Sequence, residues 1–307
     1  MTLAISVLGG LDIRCDGHRA TPKIPKRAAS LLAYLALQHG RPVSRERLAD
    51  LFWPDHFEQA RHSLRNSLWE LHKIIGRPVV VASFTECRLD DYTLDAIELE
   101  EAVANQQPIR VAELYRGPLL MGIHIDSEPW EEWLTVERER LQTLTINALH
   151  DRADGLLLEG DITGAIDLAE RALRIDPTHE PAHRQIILAH SLCGRHSAAK
   201  KAYQRCSDLL KRDLGIQPDQ ETRRLVQQTG AAPFAIAARL LPSEAERQSE
   251  YQRGYEAGKL RGYELAIAHL MKQRAVAVAR SQGQGPVTVE AAREADPQEA
   301  SEPVEAA

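Results

Sequence analysis

The sequence predicts an α+β domain at the N-terminus, an all-α helical repeat domain in the middle and a disordered acidic C-terminal tail. Three observations carry this. Apolar residues come in short extended runs up to Ile24 and then recur at helical spacing after Pro25. Farther along, Gly160, Ala165, Ala169 and Ala172 return 34 positions later as Gly194, Ala199, Tyr203 and Cys206. From Ser281 onward one Arg faces six acidic residues with no aromatic side chain, a composition that cannot bury enough apolar surface to order itself.

Taken in order, Leu3 to Leu8 and Leu11 to Cys15 read as strands around Gly9-Gly10, and an Asp16-Gly17 turn leads to a third extended piece at Ala20 to Ile24. These make a small antiparallel sheet. Ala28, Leu31, Leu32, Leu35 and Ala36 then mark a first helix that stops at His39-Gly40. Ser44 can cap a second, shorter helix with Leu48, Leu51 and Phe52 on its apolar face, halted by Pro54. The third helix runs from about Phe57 to Ile75, with Ala60, Leu64, Leu68, Leu71 and Ile75 on one side and Gly76 at its end. Val79 to Val81 and Arg88-Leu89 close the region as a hairpin around a polar turn near Thr85. Sheet, three helices and hairpin in that order are the plan of a winged helix-turn-helix domain.

The 34-residue interval is the tetratricopeptide period, and small residues at these positions let paired helices approach closely. Asp176-Pro177 closes the first unit, whereas Leu210-Lys211 stands at the matching place in the second, which marks it as atypical or terminal. So short a stack needs flanking helices around Glu131 to Asn147 and Gln220 to Gln228 to complete its core.

The run Pro42-Val43-Ser44-Arg45-Glu46-Arg47-Leu48-Ala49-Asp50-Leu51-Phe52-Trp53-Pro54-Asp55, with Ala60 to Leu68 after it, resembles the OmpR-type winged helix of the Streptomyces antibiotic regulatory protein (SARP) family of activators. Tyr115-Arg116-Gly117-Pro118-Leu119-Leu120, Pro129-Trp130 and Glu137 to Leu141 are similar to the opening of the bacterial transcriptional activator domain that follows it there. Leu214-Gly215-Ile216-Gln217-Pro218 resembles that domain's closing signature. The resemblance covers residues 3–228 and implies activation of transcription from tandem direct repeats, with promoter DNA and RNA polymerase as partners and a homodimer on DNA. The expected divisions are a winged helix at 1–95, a tetratricopeptide-like activator domain at 96–230, a polar helical extension at 231–280 and the tail at 281–307. Within the extension Gly254, Gly258 and Gly262 would align on one helical face, for self-association or as part of a frayed surface helix.

Composition narrows the function. With 43% apolar and 27% charged residues and no apolar run near the ~18 a spanning helix needs, no membrane partner is expected. Cys15, Cys87, Cys193 and Cys206 are scattered without a CxxC pair, so neither a zinc ribbon nor a disulfide framework is indicated and a cytoplasmic location is expected, which the resemblance makes bacterial and on the nucleoid when DNA-bound. The net charge of −6 is unevenly spread: residues 1–90 hold 13 Lys and Arg against 9 Asp and Glu, residues 91–241 hold 17 against 24. A basic end on an acidic chain points to a polyanion partner for that end. No Walker-type phosphate loop, GxSxG elbow or GxGxxG fingerprint occurs, and no receiver domain fits upstream of the first strand. No enzyme activity and no cofactor are expected.

A third helix in the major groove sets its outward side chains at base edges, where Arg reads guanine and Asn reads adenine bidentately. Arg61, Arg65 and Asn66 are the candidates. Trp69 suits a thymine methyl or sugar, or equally a place against the hairpin. His62, His72 and Lys73, together with Lys26 and Arg27 at the start of the first helix and Arg45 at the start of the second, are placed for phosphates, and Arg88 for the adjacent minor groove or backbone. His179-Glu180-Pro181-Ala182-His183 matches HExxH, but Pro181 belongs in a first helical turn, which puts His179 outside the helix, so no metal site is expected. The rival to a DNA-binding regulator is a protein-interaction scaffold or signalling adaptor with a degenerate winged helix.

Overall fold

Alternating burial sets the first sheet. In the computed structural model, which describes residues 3–54, 57–76, 78 and 80–227, β1 (Leu3–Ser6) buries Leu3 and Ile5. It pairs antiparallel with β2 (Asp12–Cys15), and β2 with β3 (His18–Arg19). Asp16 and Gly17 make the connecting turn, both at positive φ (47° and 81°), where Asp and Gly are the residues best tolerated. The third extended piece differs from expectation. Past β3 the chain tightens into a 3₁₀ turn at Thr21–Lys23, because Ala20 already returns its N–H to the Ile13 carbonyl and the Thr21 hydroxyl takes the Ile13 N–H at 2.7 Å.

The three helices fall where the apolar spacing puts them: α1 (Lys26–Ala36), α2 (Arg45–Phe52) and α3 (Phe57–Ile75). Ser44 caps α2 by accepting the Arg47 N–H at 3.1 Å. β4 (Val43–Ser44), β5 (Val80–Ala82) and β6 (Glu86–Leu89) form a second sheet in the order β4-β6-β5, so the hairpin gains a short third strand from the chain just before α2. β7 (Tyr92–Leu94) then runs back parallel to β1 and completes the first sheet in the order β3-β2-β1-β7.

From β7 the chain enters α4 (Asp95–Ala104), α5 (Pro108–Leu114) and the 32-residue α6 (Glu128–Glu159). The first turns of α6 are built into the winged helix. Trp130 is fully buried 5.0 Å from Phe52 of α2, and Trp133 meets Tyr34 of α1 at 4.8 Å. Each such ring removes enough apolar area from water to contribute about 1.5–3 kcal/mol. Ser127 donates to the Leu51 carbonyl at 2.6 Å, and Arg27 to that of Asp126 at 3.0 Å. One hydrophobic core accordingly runs from Leu3 to Leu141.

The chain folds into two compact units, one taking in Met1–Asp154 and Ile166–Ala182, the other Gly155–Ala165 and the chain from His183. The repeat helices are α7 (Ile162–Ile175), α8 (Glu180–Leu192), α9 (His196–Asp213) and α10 (Gln220–Gln227). Gly160 and Gly194, at φ 83° and 70°, end α6 and α8 in the left-handed conformation that terminates helices, which explains why glycine recurs at the 34-residue interval. The repeated small residues are core: Ala165, Ala169 and Ala172 on α7 and Ala199 and Cys206 on α9 are buried, with Tyr203 half-buried. In the second unit Arg184 bonds Asp219 at 2.7 Å ahead of α10. His179 stands one residue before α8 and its ring lies 6.0 Å from that of His150. Among the described residues no cluster of His, Cys, Asp or Glu is placed to hold a metal, and no helix is long and apolar enough to cross a membrane. The row Gly254, Gly258 and Gly262 and the expectations for 231–280 and 281–307 lie outside the described residues.

Candidate nucleic-acid interface

Helix α3 has two faces. Ala60, Leu64, Leu68, Leu71 and Ile75 are buried. At 100° per residue, Arg61, His62, Arg65, Asn66, Trp69 and Lys73 fall within an arc of about 140° on the opposite side. All six are exposed. The arc joins three permanent cations and a titratable imidazole to an amide and a large indole, the mixture that suits base edges flanked by phosphates.

Pairing inside the protein grades these side chains. Arg65 has no ion pair among the described residues, nor has Lys26 in the exposed first turn of α1. Arg61 reaches Glu46 of α2 at 3.4 Å, but both side chains are more than 70% exposed, and such pairs contribute at most about 1 kcal/mol. Trp69 is 60% exposed rather than packed away, and the Lys73 ammonium sits 4.8 Å from its ring centroid. His72 falls within the arc by angle but is half-buried, with Nε2 enclosed and without a hydrogen-bond partner among the described residues. It is the least available of the set.

The wing and the helix starts are fastened together. Arg45 donates its backbone N–H to the Thr85 carbonyl at 2.8 Å and its Nε to the Ser83 carbonyl at 2.9 Å. The Ser83 hydroxyl accepts the Thr85 and Glu86 N–H groups, which tightens the turn itself. Arg88 on β6 pairs with Asp90 at 3.1 Å, both well exposed. Arg27, expected as a phosphate ligand, also has contacts inside the fold: beyond its bond to Asp126, its guanidinium lies 5.7 Å from the Trp53 ring centroid. Its charge helps hold α6 to the winged helix.

Reading residue types alone misses Phe84, which the braced turn holds 98% exposed at the tip of the wing. The available signal was a lone aromatic inside a turn otherwise made of Ser and Thr.

Asp95 is the buried anchor beside this region. Its carboxylate accepts the N–H groups of Val7 at 2.8 Å and Leu8 at 3.2 Å and receives Arg116 at 3.1 Å. Burial pushes its carboxyl above the usual range, while those three donors pull it back down. The segment after Arg116 continues the link: Leu120 donates to the Val7 carbonyl and Gly9 to that of Pro118.

Residues 93–229 match the family described as the bacterial transcriptional activator domain. The chain is also 27% identical over 248 residues to the transcriptional regulatory protein EmbR of Mycobacterium bovis and of Mycobacterium tuberculosis. The alignment with EmbR takes in 73% of this chain and 62% of the relative, so the chain spans less than two thirds of the length of those relatives. The structure of Mycobacterium tuberculosis EmbR in complex with a low-affinity phosphopeptide shares the fold, with a TM-score of 0.57 and 23% identity over 91% of this chain and 71% of that one. Small N-terminal sheets with three helices, followed by an all-α domain, are therefore the architecture that this chain has in common with EmbR.

Proposed function

We propose that this protein is a sequence-specific DNA-binding activator of transcription whose α3 lies in the major groove of promoter DNA. The exposed arc of α3 is the observation that carries the reading. Arg65 and Arg61 face base edges with Asn66 beside them, Arg61 after release from its weak pair with Glu46. Lys73 and His62 border the arc toward phosphates, with Trp69 against a sugar or thymine methyl. Lys26, Arg45 and Arg88 clamp the backbone, and Phe84 at the wing tip meets the adjacent minor groove. Arg27 and His72, engaged or enclosed within the fold, contribute least. The helical domain supplies dimerisation on tandem direct repeats or contact with RNA polymerase. No catalytic step, metal or cofactor enters the proposal.

The test is selection of bound duplexes from a random pool by the full chain, followed by binding measurements at stepped salt. A recovered motif bound roughly 10³-fold or more tightly than a shuffled duplex supports the reading. Its affinity should fall steeply with salt, by close to one logarithmic unit of slope per phosphate contacted. Binding without sequence preference and with a shallow salt slope would replace it with the interaction scaffold.

A further inference from the structure

The first compact unit contains a cavity of about 240 Å³ that the DNA-binding reading does not use. Tyr115, Arg116, Gly117 and Pro118 form one wall, Gln142 and Leu149 of α6 another, and Arg171, Arg174 and Ile175 of α7 a third. Three arginines, Arg116, Arg171 and Arg174, are among its lining residues, and no carboxylate residue is. Two of them are balanced from outside the lining, Arg116 by Asp95 at 3.1 Å and Arg171 by Asp167 at 2.8 Å. Arg174 has no ion pair among the described residues. Leu149 is fully buried, and Ala112, Pro118 and Ile175 add apolar lining beside the arginines.

Arginine forks match the planar oxygens of carboxylate and phosphate, and a polar hydrogen-bonding rim over an apolar base is the usual make-up of small-molecule sites. A space of this size suits a small molecule. We propose that this cavity binds a small organic anion, a phosphate or carboxylate ester or acid of about ten non-hydrogen atoms, between Arg171, Arg174 and Arg116. Gln142 and Tyr115, also lining residues, supply polar groups for the uncharged part. Because Arg116 also holds Asp95, which accepts the Val7 and Leu8 amides, an anion here shares a guanidinium with the end of β1. The site therefore adjoins the winged helix without involving α3.

The full chain is titrated with glycerol 3-phosphate and with phosphoenolpyruvate at constant ionic strength, with glycerol as the neutral control, reading calorimetric heat and Tm. Saturable binding by at least one anion is expected, with Tm rising several degrees at 100 times Kd and no response to glycerol. Arg171→Ala combined with Arg174→Ala weakens it at least tenfold, the paired Lys replacements restore part of it, and Arg65→Ala leaves it unchanged. Absence of saturable binding by both anions overturns the proposal. So does equal binding by the double alanine variant, or loss with Arg65→Ala, which would place the anion on the face of α3. None of these readouts depends on DNA.

Discussion

Arg65 and Arg116 are both long cations at the protein surface, yet the structure uses them differently. Arg116 lies 3.1 Å from the buried Asp95 carboxylate, which in turn satisfies two backbone amides at the end of β1. Arg65 has no ion pair among the described residues and projects beside Arg61, Asn66 and Trp69. The junction consumes its charges inside the fold, whereas the α3 face leaves its charges for a partner. An arginine therefore reports on function only once its carboxylate and carbonyl partners are known, because paired and buried polar groups stabilise while unpaired exposed ones are free to bind.

Four substitutions probe this contrast. Asp95→Ala should cost the most, about 2–4 kcal/mol of unfolding free energy, because it strands two buried amides; chemical denaturation reads it, and a loss below about 1 kcal/mol would remove the junction's structural role. Arg65→Ala should weaken binding to the selected duplex by about 1–3 kcal/mol, a factor of about 5 to 150, while the denaturation midpoint stays put. Phe84→Ala should reduce DNA affinity by about 1 kcal/mol and leave stability within about 0.5 kcal/mol, since the ring touches little in the free protein. The smallest effect belongs to Glu46→Gln, which should change stability by under about 0.5 kcal/mol and strengthen DNA binding slightly by releasing Arg61 and removing a negative charge. A clear stability loss there would mean that the Arg61 pair belongs with the junction instead.

The α3 face was legible because it is the complement of a periodic core: once Ala60, Leu64, Leu68, Leu71 and Ile75 are set inside, the outward residues follow. The Ser44 cap and the hairpin were legible for similar local reasons. Strands β4 and β7 were not, since each has two or three residues and is defined by partners far along the chain, Cys87 and Glu86 for one, Leu3 to Ile5 for the other. Helices α4 and α5, of ten and seven residues, have too few turns for a helical apolar period to stand out in the sequence. Within the site, position was readable and pairing was not. That Arg61 meets Glu46, that Arg27 reaches the Asp126 carbonyl, and that Trp69 lies under Lys73 instead of against the hairpin all depend on how separate segments meet or on which rotamer is chosen. Phe84 was hidden inside a turn that reads as polar.

The most direct test of the contrast sets Arg65→Ala against Arg116→Ala in the full chain, measuring Kd for the selected duplex and for its shuffled counterpart at several salt concentrations. Arg65→Ala should lose affinity mainly for the selected duplex, narrowing the ratio between the two by about 5- to 150-fold. Arg116→Ala should instead lower the unfolding free energy and leave that ratio intact. A ratio that Arg65→Ala leaves unchanged, or that Arg116→Ala narrows equally in folded protein, would contradict the assignment of DNA recognition to the exposed face of α3.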